Sequence, residues 1–238
     1  MDYDFSNKVV LVTGASAGIG EAIALLFAKL GAKLSLVGRN EANLRAVAAE
    51  CEKQKGVKPL AIVADLGTDE GVEKTAKDTL DHFGRLDILV NNAAVGVFTW
   101  LLHDTDMKMF DDVFRINVRG VYYLTKLLAP ALVESKGNIV NISSIVATMV
   151  SVGSLPYSMT KVSEFVKRIT GQSEEEYRAW LTSFSSNIPL GEPCVGSDIA
   201  RMVVHLASDH SRLVTGTVIE VDGGYRFNSS TNTPVMDK

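Results

Sequence analysis

The chain has 238 residues, 46% of them hydrophobic, enough for one sizeable core in a single domain spanning residues 1–238. Its 24 basic and 28 acidic side chains leave a net charge of −4, which excludes the basic surface that nucleic acid demands. Cys51 and Cys194 are too few for a disulfide framework and fit a reducing compartment. The acidic opening Met1–Phe5 lacks the basic-then-apolar order of a signal peptide, and no apolar run approaches the roughly 18 residues of a membrane span. A soluble, cytoplasmic protein with no metal site is expected, its polar residues 228–238 forming a loose tail.

Taken in chain order, short β-branched runs alternate with amphipathic stretches. Strands are expected at Val9–Thr13, Lys33–Val37, Lys58–Ala64, Leu86–Asn91, Asn138–Ser143 and Val214–Val221. Helical periodicity fills Gly18–Leu30, Glu41–Gln54, Asp69–Phe83 and a long stretch over Met107–Ser135, with a further helix around Asp198–Ala207. Parallel strands buried on both faces read as near-continuous apolar runs, as these do. The pattern predicts an α/β fold: a doubly wound, mostly parallel, Rossmann-like sheet inside a three-layer α/β/α sandwich. There is no internal repeat and no low-complexity segment.

The first strand runs into Thr13-Gly-Ala-Ser-Ala-Gly-Ile-Gly20, where the first helix begins. Glycines 14, 18 and 20 allow a tight turn and a close approach of backbone to a pyrophosphate. The helix N-terminus adds free N–H groups and a positive dipole. A glycine-rich turn with no ligand is the bland alternative; placement directly after the first strand of an alternating chain favours nucleotide binding. The second strand should end at the adenosine ribose, where an acid would bind the 2′-hydroxyl of NAD. Here it ends Leu36-Val-Gly-Arg39 with no acid at the tip, and the guanidinium fork of Arg39 suits a 2′-phosphate, so NADP(H) is expected over NAD(H). Asp65, ending the third strand, is placed to meet the adenine.

Tyr157 and Lys161 lie four apart, one above the other on a helix face, with Pro156 suited to the first turn. An ammonium beside a phenol stabilises the phenolate, which makes Tyr157 a candidate proton donor or acceptor near neutral pH. Such a pair also arises by chance in helices. Its weight comes from the company of Ser144 and the phosphate loop.

These residues resemble the short-chain dehydrogenase/reductase family in its form of about 250 residues. The matching motifs are Thr13–Gly20, Asp65-Leu66, Asn91-Asn-Ala-Ala94, Asn117, Ser144, Tyr157/Lys161 and Thr215–Gly224. Ala94 stands where the family usually has Gly. The resemblance implies hydride transfer between NADP(H) and a carbonyl or secondary alcohol, with Tyr157 as acid/base. Lys161 would bond the nicotinamide ribose, Ser144 (rather than Ser143) would polarise the carbonyl, and Asn117 would hold a water linking Lys161 to solvent. Cofactor contacts would come from Gly14, Ser16, Gly18, Ile19, Gly20, Arg39, Asp65, Leu66, Asn92 and Ala93, together with Tyr157 and Lys161. The resemblance further implies strand order 3-2-1-4-5-6-7 and a homodimer or homotetramer. One interface would use the Met107–Ser135 helix with the Tyr/Lys helix, the other the Asp198–Ala207 helix with the last strand. Val95, Phe98, Met149 and Val152 suggest a small apolar substrate of no identified kind.

The chain departs from that pattern after Lys161. Where the family continues the helix, adds a sixth strand and makes a Pro-Gly turn, Lys161-Val-Ser163 leads directly into Glu164–Tyr177, which looks like the substrate loop. No Pro-Gly dipeptide occurs anywhere in the chain. About 30 residues are missing by the length of a typical crossover, through a segment lost from the sequence as read or through a true deletion such as a splice form. Without the sixth strand, the strand Val214–Val221 loses its neighbour. A genuine deletion would favour an alternative reading as a catalytically impaired nucleotide-binding or interaction protein. A Rossmann-like methyltransferase shares the glycine-rich turn but has no use for the Ser/Tyr/Lys set.

Overall fold

The computed structural model describes residues 3–96, 107–144, 147, 155–160 and 188–225. β1 (Val9–Thr13) is apolar on both sides and buried at every position, as a central parallel strand must be. It pairs in parallel with β2 (Lys33–Gly38) on one side and β4 (Ile88–Asn91) on the other. β3 (Leu60–Val63) continues beyond β2 and β5 (Asn138–Asn141) beyond β4, giving the order β3-β2-β1-β4-β5 among the described residues.

Alternate strand residues feed two separate cores, which is what makes the sandwich three-layered. Val10, Val12, Leu34, Leu36 and Val90 point to the face covered by α1 (Gly18–Lys29), α2 (Glu41–Lys55) and, later in the chain, α7 (Gly196–Leu206). Val9, Leu11, Val37 and Leu89 point to the face covered by α3 (Asp69–Phe83) and α5 (Val121–Ser135). The helix ends follow local chemistry. The Asn40 side chain accepts from Asn43 N–H to start α2 and that of Thr68 from Gly71 N–H to start α3; Gly56 and Gly84 end the two helices in left-handed conformation. Cys51 is packed in the first core, where burial pushes its thiol up to about 12. It is a neutral core side chain at any physiological pH.

The stretch expected as one helix over Met107–Ser135 is one helical run, but not a uniform one. α4 (Met107–Phe114) passes into a π-helical segment at Arg115–Gly120 and then into α5. A π turn adds a residue per turn and so re-aims the side chains beyond it. Gly120 has no Cβ to spare here: one would stand 2.3 Å from the Leu66 carbonyl oxygen. α6 (Leu155–Thr160) packs against α4.

The expectation of a strand at Val214–Val221 is overturned. That run is irregular backbone, with Val214 45% and Val218 78% exposed. Its β-branched composition favours a strand only where a neighbour supplies backbone partners and a buried face. No strand is described between β5 and residue 214, and residues 161–187, where the sixth strand was in doubt, lie outside the described residues. The motif's end is nevertheless anchored: Leu190 N–H donates to Gly223 O at 3.1 Å.

At the opposite end of the sheet from the phosphate loop, Asp87 is 2% exposed. Its carboxylate accepts from Val9 N–H at 2.9 Å and from two nitrogens of Arg85, with Lys8 at 3.7 Å. Burial alone would raise its pKa; the bonds from Arg85 and Val9 and the nearby positive charges outweigh that and hold it below the ordinary 3.8. A depressed carboxyl pKa contributes stability above the unfolded value and loses it as pH falls through the folded one. Asp87→Ala should therefore cost about 1–3 kcal/mol at pH 7. In urea denaturation the gap to the parent should shrink as pH drops below 3.8. The irregular run gives a second check. Val218→Asp should change stability by no more than about 0.5 kcal/mol, whereas Leu89→Ala should cost about 2–5 kcal/mol. A large loss from Val218→Asp would mean that this residue is buried in solution.

Candidate active site

The site begins where β1 and β4 end side by side. The Thr13 hydroxyl accepts from Asn92 N–H at 2.9 Å and Ala93 N–H at 3.0 Å, and donates to Val90 O at 3.2 Å. The Asn92 side-chain amide donates to Thr13 O at 2.8 Å and reaches Gly14 O at 3.3 Å. Asn92 and Ala93 are thus joined to the phosphate loop directly. Thr13, which holds them there, opens the motif Thr13–Gly20, but the sequence assigned its side chain no role. Its signal was a hydroxyl at the last position of a buried apolar strand.

The loop glycines divide their work. Gly14 (φ 67°) and Gly18 (φ 63°) take the left-handed conformation that lets the chain turn. Gly20 is needed for packing, since a Cβ there would lie 2.2 Å from Gly14 O. α1 opens at Ala17 with no side-chain cap, so its first N–H groups are left for a ligand, with Ser16 beside them and Ile19 buried below. Gly38 at the tip of β2 faces Ser16, whose Oγ would be 3.1 Å from an added Cβ. Arg39 follows on the exposed rim. Asp65 is exposed too and accepts from Gly67 N–H at 2.9 Å, closing the turn after β3, with Leu66 buried behind it. This cradle fits a dinucleotide: an uncapped helix N-terminus on a glycine turn, with a cation at the next strand tip.

The candidate catalytic residues are held differently. Asn117, 5% exposed, sits in the π segment. Its Oδ1 accepts from Val95 N–H at 2.8 Å, and its Nδ2 donates to Val95 O at 2.8 Å and to Thr160 Oγ at 2.9 Å. Both amide hydrogens are committed, so this side chain ties segments together. Ser144 follows β5 with its Oγ shut off from solvent and without a hydrogen-bond partner among the described residues, whereas Ser143 is exposed. Tyr157 in α6 is 4% exposed. Lys161, Phe98, Met149 and Val152 lie outside the described residues. Below the site, Asn91 donates to Asn141 Oδ1 at 2.9 Å across the β4–β5 pair, a polar rung no sequence argument singled out.

The chain matches a family model for short chain dehydrogenase over residues 8–182 and one for enoyl-(acyl carrier protein) reductase over residues 163–226. It is 33% identical to (+)-borneol dehydrogenase 2 of Salvia officinalis, across 95% of this chain and 90% of that one. It is 32% identical to the 3-oxoacyl-[acyl-carrier-protein] reductase FabG of Pseudomonas aeruginosa, across 92% and 97%. Among solved structures it resembles L-sorbose reductase of Gluconobacter frateurii, complexed with NADPH and L-sorbose. That likeness has a TM-score of 0.87 at 26% identity, over 95% of this chain and 99% of the other. The borneol dehydrogenase comparison extends over 262 aligned positions against 238 residues here, so at least 24 of that protein's residues have no counterpart in this chain. The two family models overlap over 163–182, where the sequence places the break.

Gly20→Ala tests the loop. The added methyl should push α1 away from Gly14 O and weaken binding of NADPH, followed by its fluorescence, at least ~10-fold. Undiminished affinity would show that the turn tolerates a side chain.

Proposed function

This chain belongs to the short-chain dehydrogenase/reductase family of oxidoreductases, and we propose that it transfers a hydride between NADP(H) and a carbonyl or secondary alcohol, with Tyr157 as acid/base. The observation that carries the reading is the Ser144 hydroxyl, buried and without a partner among the described residues, at the carboxyl end of the sheet. A buried hydroxyl costs free energy unless something bonds it, and a substrate oxygen is a suitable partner. When bound, the dinucleotide supplies or takes up the hydride. In the direction of reduction, Ser144 donates a hydrogen bond to the carbonyl oxygen and polarises it. Tyr157 then gives its phenolic proton to that oxygen as the carbonyl carbon receives the hydride, leaving a secondary alcohol. Lys161, four residues on, stabilises the phenolate and binds the ribose. In this reading Gly14, Ser16, Gly18, Ile19 and Gly20 hold the pyrophosphate, and Asp65, Leu66, Asn92 and Ala93 line the remainder.

The preference for NADP(H) rests on Arg39 at the rim of the adenosine site and the lack of an acid at the tip of β2. Arg39→Ala should weaken NADPH binding at least ~10-fold, with little effect on NADH. Equal weakening of both would refute the assignment. We further propose one domain throughout, a cytoplasmic location and a homodimer or homotetramer. Among the described residues no helix is long and apolar enough to cross a membrane.

The decisive experiment follows NADPH and NADH oxidation against a terpenoid ketone, a 3-oxoacyl thioester and a ketose, chosen from the chemistry of the related proteins. Turnover that is lost in Tyr157→Phe while NADPH still binds supports the proposal. A Tyr157→Phe protein as active as its parent would sink it. Binding without turnover on the whole panel would favour a nucleotide-binding role.

A further inference from the structure

The Asn117 amide spends one hydrogen on Val95 O and the other on the Thr160 hydroxyl. Thr160 Oγ in turn donates to Tyr157 O at 2.9 Å, the i−3 back-bond open to a helical threonine. The hydroxyl therefore accepts from one partner and donates to the other. It completes a path from Val95, just beyond β4, through the π segment to the backbone of Tyr157. Val95, Asn117 and Tyr157 lie in three different segments, separated by 22 residues between the first pair and 43 between Asn117 and Thr160. A side-chain bridge is what fixes their mutual distance.

We propose that Thr160 is a positioning residue: its hydroxyl clamps the helix carrying Tyr157 to Asn117 and so sets where the phenol stands relative to the tip of β4. The proposal rests on the reading of Tyr157 as acid/base. Serine in place of Thr160 keeps both bonds. Valine keeps the shape and loses both, stranding a buried Asn117 N–H. A phenol displaced by a fraction of an ångström would still be present but badly aimed, and rate falls steeply with such misplacement.

The test compares Thr160→Val, Thr160→Ser and Tyr157→Phe in the full chain. Three quantities are measured: kcat on the panel substrate that turns over, NADPH affinity by fluorescence, and the Tyr157 signal in [13Cζ]tyrosine NMR, assigned by its loss in Tyr157→Phe. Expected for Thr160→Val is a kcat at least ~10-fold lower, with NADPH affinity within about twofold and the Tyr157 resonance shifted. Thr160→Ser should match the parent in all three. Should the valine variant fail to fold, Thr160→Ala takes its place, with the same loss expected. A valine or alanine variant with parental kcat and an unmoved resonance, beside an inactive Tyr157→Phe, overturns the clamp and leaves the catalytic reading standing. Equal losses in the serine and valine variants also overturn it, because the hydroxyl would not be the cause. An active Tyr157→Phe overturns the catalytic reading itself, whatever Thr160 does.

Discussion

The site hangs from the junction of β1 and β4. β1 is the strand from which the order runs outward both ways, to β2 and β3 on one side and to β4 and β5 on the other. At such a switch point the connections leave toward opposite faces and open a crevice at the carboxyl ends of the strands. In this chain the crevice is held shut at its root by Thr13 and Asn92, whose hydroxyl and amide bonds join the two strand tips. The strands beneath are buried throughout, so the tips have little freedom. The turn at Gly14, the uncapped start of α1 and the path through Ala93 to Val95 all take their positions from that root.

What the sequence disclosed follows from the range over which each signal acts. Local signals read well: the continuous apolar run Val9–Thr13 matches β1, and Thr68 and Gly84 bracket α3 at Asp69–Phe83. β3 is shorter than Lys58–Ala64 suggested, and Pro59, which has no N–H to donate, precedes its first residue. The periodicity of Met107–Ser135 revealed a helix but could not reveal its π turn, because the six residues Arg115–Gly120 are too few to display a period of their own. The partners of Asn117 were hidden for another reason. Val95 and Thr160 are distant in sequence, and nothing in either residue type announces the contact. Ser144 and Tyr157 were legible as a set only through their likeness to a family.

The run Val214–Val221 shows the limit of composition. All of its residues except Gly216 and Glu220 are β-branched, yet the backbone is irregular and Val214, Val218 and Ile219 are exposed. A strand is a relation between two segments, and propensity speaks for one. At least 24 residues of the borneol dehydrogenase lack a counterpart here, and a break after Lys161, where the sequence pattern departs from the family, would remove the segment expected beside this run. On the other side, β5 has an exposed Ile139 and pairs with β4 alone among the described residues.

A loss after Lys161 would fall unevenly on the two halves of the candidate site. The proposed cofactor residues stand on β1, β2 and β4, each flanked on both sides by a strand, and removing material beyond β5 would touch none of those pairings. The proposed acid/base, Tyr157, stands on α6, which packs against α4 beyond the sheet's last described strand. Its fixed points are polar: Asn117 bonded to Val95 at one end and to Thr160 at the other, with Thr160 closing onto Tyr157. Hydrogen bonds in a water-poor setting are directional and costly to leave unmade, so a few of them can hold a side chain that a sheet does not support. Even a scaffold thinned beyond β5 would therefore keep a buried tyrosine in place, provided that the clamp is intact.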